Sequence, residues 1–223
     1  MAKNVLVLAV HPDDETLGCG GTLLKHKQQG DNIHWLIATA ISTEQGFSAP
    51  KISQRKGEIE KVASLYGFKE VHQLGLPTTK VDTLPKGDLI QKIAAIINRV
   101  QPEILYLPFH QDIHSDHRVI FEAAFSCTKT FRYPFIRRIY LMETISETNY
   151  ALPFPDTSFI PNSYVDISDV YAQKLEIAAV YDSEMGTHPF PRRQETLKAL
   201  AMFRGATANC QYAESFMLIK EIR

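Results

Sequence analysis

An unbroken aliphatic run over residues 5–10 leads directly into His11-Pro12-Asp13-Asp14-Glu15. No other feature constrains the fold as much. An apolar run of this length, bounded by polar residues, is the pattern of a β-strand buried on both faces. Such strands belong to parallel sheets covered by helices on either side, and the next hundred residues repeat the alternation this requires. Residues 20–29 read as a helix stopped by Gly30, 34–40 as a strand and 52–66 as a helix closed by Gly67. Residues 71–76 read as a weaker strand, 89–100 as a strongly amphipathic helix and 104–108 as another buried strand. Repeated βαβ units predict an α/β, Rossmann-like three-layer fold with a mainly parallel central sheet flanked by helices.

The second half is less regular. Residues 117–125 read as a helix and 136–143 as a strand. The triply proline-bearing segment 152–161 reads as a loop, and 170–181 and 193–203 as helices on either side of 186–192. No Gly/Ser-rich linker divides the chain, so residues 1–223 are expected to form a single domain. With 24 basic against 25 acidic residues, the net charge of −1 offers no general attraction to nucleic acid or an anionic membrane. Cys19, Cys127 and Cys210 are widely spaced and odd in number, which argues against a disulfide framework. There is neither a signal-peptide pattern nor an apolar stretch long enough to span a membrane, so the expected location is the cytoplasm.

Two clusters carry the chemistry. The first, His11 to Glu15, sets an imidazole beside three carboxylates at the carboxyl end of a strand, where open α/β sheets bind ligands. Like charges packed this closely repel unless a cation neutralises them, although acids also stabilise a helix start. The second, His110-Gln111-Asp112-Ile113-His114-Ser115-Asp116-His117, occupies the equivalent place after the strand at 104–108. His114 and His117 are one helical turn apart, and Asp112 and Asp116 are positioned to orient imidazole rings. Together the clusters offer two nitrogens and one oxygen to a metal. Three protein ligands and an open position are the arrangement of a hydrolytic zinc site, and no cysteine is required. Cys19, four residues beyond Glu15, reads as a small buried packing residue.

These motifs resemble the LmbE-like/PIG-L de-N-acetylase family. The resemblance rests on Ala9-Val10-His11-Pro12-Asp13-Asp14-Glu15 with Asp112-x-His114-x-Asp116-His117. It continues through Arg55-x-x-Glu58, Tyr181-Asp182-Ser183-Glu184, His188-Pro189-Phe190-Pro191-Arg192, Arg204-Gly205 and Tyr212-Ala213-Glu214-Ser215-Phe216. Glu184 stands where the family often has Gln, and Ser215 where Ala is usual. The resemblance implies a zinc-dependent enzyme that removes acetyl groups from N-acetylated amino sugars or their conjugates. It implies His11, Asp14 and His117 as metal ligands, for which iron(II) is an alternative to zinc. Asp13 becomes the general base acting on a metal-activated water, and His114 the stabiliser of the oxyanion. Asp116 would hydrogen-bond His114 and favour its protonated form, so that either His114 or Asp13 protonates the leaving amine. A small acetylated sugar is the implied partner, and a homo-oligomer is compatible with the resemblance.

Arg55 falls on the apolar stripe of its helix. It either pairs with Glu58 or, as the resemblance suggests, reaches substrate; His188 and Arg192 are further substrate contacts by the same resemblance. His26, His34 and His72 have no supporting context and read as structural or solvated. Three other readings remain open at this point: a zinc hydrolase of another amide or of an O-acetyl ester, a nucleotide-binding Rossmann module, and a non-catalytic sugar-binding protein. Gly18-Cys19-Gly20-Gly21 departs from G-x-G-x-x-G and suits close packing of helix on sheet better than phosphate binding.

Overall fold

The computed structural model describes residues 2–223. The chain runs β1 (Asn4–Ala9), α1 (Asp14–Gln28), β2 (Asn32–Ala40), α2 (Ala49–Tyr66), β3 (Glu70–Pro77), α3 (Lys86–Val100), β4 (Ile104–Leu107), α4 (Ser115–Ser126), β5 (Arg138–Met142), β6 (Ser163–Asp166), α5 (Tyr171–Ala178), α6 (Gln194–Ala208) and β7 (Ala213–Glu221). All seven strands form one sheet in the order β3-β2-β1-β4-β5-β7-β6. β1 to β5 pair in parallel, and β7 runs antiparallel to β5 and β6. This is the expected three-layer α/β fold with a mainly parallel sheet, and it contains two strands that the sequence pattern does not predict, β6 and β7.

Strand alternation separates the core into two layers. Val5, Val7 and Ala9 pack with Trp35, Ile37, Val62 and Tyr66 on one face. Leu6, Leu8 and Val10 pack with Leu36, Leu105, Ile93 and Ile97 on the other. The stripe Leu89, Ile93, Ile97, Val100 of α3 is almost fully buried, each side chain contributing about 1.5–3 kcal/mol by leaving water. Cys19 and Cys127 are fully buried, one in each layer, as the packing role expected for Cys19 requires.

α1 begins at Asp14, six residues before the expected start, and breaks at Cys19, whose φ and ψ of −147° and 21° are not helical. The glycines around the break explain the weak helical signal. A Cβ at Gly21 would lie 2.7 Å from the Ile167 side chain, and one at Gly20 would lie 2.4 Å from the Tyr66 hydroxyl. The N–H groups of Gly21 and Thr22 are bonded instead by Glu214 of β7, at 2.8 and 2.7 Å. Among the described residues, no helix is long and apolar enough to cross a membrane.

Candidate active site

β1 and β4 are neighbours at the point where the strand order changes direction, so the loops leaving their carboxyl ends open onto the same crevice. The β1 loop brings His11, Asp13 and Asp14; the β4 loop and the first turn of α4 bring His114, Asp116 and His117. Three of these converge. His117 Nε2 lies 3.3 Å from His11 Nδ1 and 3.3 Å from Asp14 Oδ2, and His11 Nδ1 lies 4.0 Å from Asp14 Oδ2. Ligand atoms about 2.1 Å from one tetrahedral ion stand roughly 3.4 Å apart, so the set fits zinc with little adjustment.

The groups behind these three side chains orient them. Asp112 Oδ2 lies 2.8 Å from His117 Nδ1, and Asp116 Oδ2 lies 3.3 Å from His11 Nε2. A proton on each of those nitrogens leaves the opposite nitrogen lone pair turned inward. Asp112 is held in turn by the Thr148 hydroxyl at 2.7 Å, and Asp116 by the N–H groups of Thr79 and Val81 at 2.7 and 3.2 Å. Asp14 Oδ2 accepts the N–H groups of Val10 and His11. Burial opposes a charge on His117, but Asp14 and Asp112 outweigh it and push the imidazole up to about 9. The site attracts positive charge strongly enough to hold a proton where a metal would sit.

Asp13 stands beside this trio in a backbone conformation that few residues adopt, with φ at 142°. Its Oδ2 is 2.7 Å from Arg192 Nη1. Burial raises its carboxyl to about 7, with Arg192 opposing the rise and Asp14 adding to it. His114 departs from expectation. Its Nδ1 accepts the backbone N–H of Asp116 at 3.1 Å, whereas the Asp116 carboxylate is 3.9 Å away and engaged by His11 and the backbone. Burial and the neighbouring His11 lower the ring to about 4 despite Asp116. His114 is therefore neutral at pH 7, with its proton on Nε2, and Asp116 supports His11 rather than a protonated His114.

A cavity of about 420 Å³ opens over the cluster, lined by His11, Asp13, His114, Arg55, Arg192 and Phe47 among others. Arg55 both pairs and reaches the cavity. It meets Glu58 at 3.1 Å and also Glu184, and it donates to the Pro12 carbonyl at 2.7 Å, bracing the turn that carries Asp13. Arg192 is likewise at the site, contacting Asp13, Glu184 and Glu147. The structure does not bring His188 there: it is exposed and outside the cavity lining, on a loop that directs Arg192 inward instead. Glu147 and Thr79 also reach the site, and sequence patterning does not single them out. Each lies far along the chain from both clusters, and neither has a motif of its own.

A family model described as PIG-L: GlcNAc-PI de-N-acetylase matches residues 6–128. Diacetylchitobiose deacetylase of Thermococcus kodakarensis is 27% identical over 228 residues, covering 99% of this chain and 84% of that protein. A probable N-acetyl-alpha-D-glucosaminyl L-malate deacetylase 2 of Bacillus cereus is 24% identical, covering 82% of this chain and 84% of its own. Among solved structures, N,N'-diacetylchitobiose deacetylase from Pyrococcus horikoshii, complexed with an inhibitor, superposes with a TM-score of 0.77 at 25% identity, covering 98% of this chain and 84% of the other. The family match runs from β1 through α4 and takes in both clusters: the chain belongs to the PIG-L de-N-acetylase family.

Proposed function

We propose that this enzyme hydrolyses the acetamide of an N-acetylated amino sugar or its conjugate, through a metal held by His11, Asp14 and His117. Zinc is the metal we assign, and iron(II) suits the same donors. The observation that carries the reading is the convergence of those three side chains, within 4.0 Å of one another, beside Asp13. Two of the relatives above are named for acetylated amino-sugar conjugates, which supports the substrate class. We read residues 1–223 as one domain built around this centre.

A divalent ion, when bound there, lowers the pKa of a coordinated water and polarises the amide carbonyl. Asp13, with a carboxyl near 7, is suited to take a proton from that water at neutral pH and to deliver it later. The neutral His114 ring donates its Nε2 proton as a hydrogen bond to the oxygen on which negative charge develops. Because burial holds His114 at about 4, Asp13 rather than His114 passes the proton to the departing nitrogen. The C–N bond breaks, one water is consumed, and acetate and a free amine leave. Arg192 fixes the Asp13 carboxylate, and Arg55, on the cavity wall, is the substrate contact we assign.

Measuring acetate release from paired N-acetyl and O-acetyl sugars tests the reaction class. Release from N-acetylglucosamine conjugates, with the amine appearing in equal amount, is the expected result. Release from O-acetyl esters alone would overturn the amidase reading.

A further inference from the structure

A second group of metal-ligating side chains lies at the other end of the sheet. His34 and Glu70 are opposite one another in the parallel register of β2 and β3, near the amino ends of those strands, and His72 is two residues beyond Glu70 on the same face. One donor atom from each falls within 4.8 Å of the other two. From sequence alone both histidines read as structural or solvated. They are buried, 4% and 9% exposed, with rings stacked 6.4 Å apart and 7° from parallel.

What sets the pair apart is the absence of partners. Among the described residues, neither ring nitrogen of His34 makes a hydrogen bond, nor does His72 Nε2. His72 Nε2 is 3.1 Å from Glu70 Oε2, yet not in hydrogen-bond geometry. Buried imidazole nitrogens in native proteins nearly always have a partner, and three orphaned atoms around one carboxylate call for one. From these observations we propose that His34, Glu70 and His72 form a second site for a divalent transition metal of the zinc class, joining the edge strand β3 to β2.

The donor set is two imidazoles and a carboxylate, which suits zinc and its neighbours rather than calcium or magnesium. Closing donors now within 4.8 Å to the roughly 3.4 Å of a tetrahedral site takes a side-chain adjustment of about 1 Å. One group competes. Arg99 of α3 contacts both Glu70 oxygens, at 3.1 and 3.3 Å, from a side chain that is largely exposed and free to turn away. That competition sets the affinity of this site below that of the His11, Asp14, His117 centre. The proposal does not depend on the deacetylase reading, since none of its residues lines the catalytic cavity.

The test is a zinc titration of chelator-stripped protein, followed by calorimetry and by bound zinc per chain after desalting. Wild type should take up two equivalents, the second at least tenfold weaker. His72→Gln should lose the weaker equivalent and keep the tighter one, while His117→Gln should do the reverse. Arg99→Gln should tighten the weaker event several-fold. Imidazole ¹⁵N spectra of the wild type keep the result readable if a variant fails to fold: the His34 and His72 signals should shift during the second equivalent. Unchanged uptake in His72→Gln, or wild-type His34 and His72 signals indifferent to zinc, would overturn the proposal.

Discussion

Asp13 combines two tensions in one residue. Its carboxyl is buried and raised to about 7, and its backbone occupies a positive-φ region disfavoured by any side chain. These can be separated by substitution. Asp13→Asn should leave metal loading intact and lower kcat by about 10²–10⁴-fold, as expected for loss of a general base. Near-normal turnover would remove Asp13 from that role. Asp13→Gly and Asp13→Ala should be equally inactive, because both lack the carboxylate. The glycine variant should nonetheless be more stable by about 1–2 kcal/mol, since it alone relieves the backbone. Equal stability in urea denaturation would show that the conformation is unstrained.

At the scale of elements, α1 holds the site together from behind. Its break at Cys19 exposes N–H groups that Glu214 of β7 accepts, and Lys174 of α5 neutralises Glu214 at 2.7 Å with both side chains buried. Removing one member leaves an unpaired buried charge, so Glu214→Gln should cost about 3–5 kcal/mol. Adding Lys174→Met to it should recover part of the loss, which a double-mutant cycle in urea would measure; a cost below about 1 kcal/mol would show that the pair is relaxed or hydrated. The same device explains what sequence patterning hid. The uniformly apolar β1 and β4 and the striped α3 were legible. β7 was not, because the buried Glu214 and Ser215 interrupt its apolar run, and β6 is only four residues long and half-buried. The two clusters of the centre were legible because each follows a readable strand. Glu147 behind Arg192 and the His34–Glu70–His72 group were not, since only tertiary contact or strand register brings them together.

Across the whole molecule, the buried site couples stability to pH. In the metal-free protein Asp13, Glu15 and His117 are raised to about 7, 8 and 9; burial drives the two acids up, and the flanking carboxylates raise His117 against burial. Each folded pKa exceeds its unfolded value, so the folded state binds more protons, and that stability is lost as pH rises through these values. His26, His34, His72, His110 and His114, lowered by burial, oppose this near pH 6.5, where their unfolded forms are still half protonated, and cease to do so above about pH 7.5, where they are neutral in both states. The metal-free protein should therefore lose Tm steadily from about pH 7.5 to 9. Zinc should flatten that slope by replacing the proton on His117, and a metal-free Tm that rises over this range would contradict the assignment. The central claim is that His11, Asp14 and His117 hold the metal on which amide hydrolysis depends. Its most direct test is acetate release from an N-acetylglucosamine conjugate by chelator-stripped enzyme, before and after stoichiometric zinc. The account predicts no release from the stripped enzyme, recovery with the first, tighter equivalent, and no release from His11→Ala with or without zinc. Undiminished release from enzyme verified to be metal-free would contradict it.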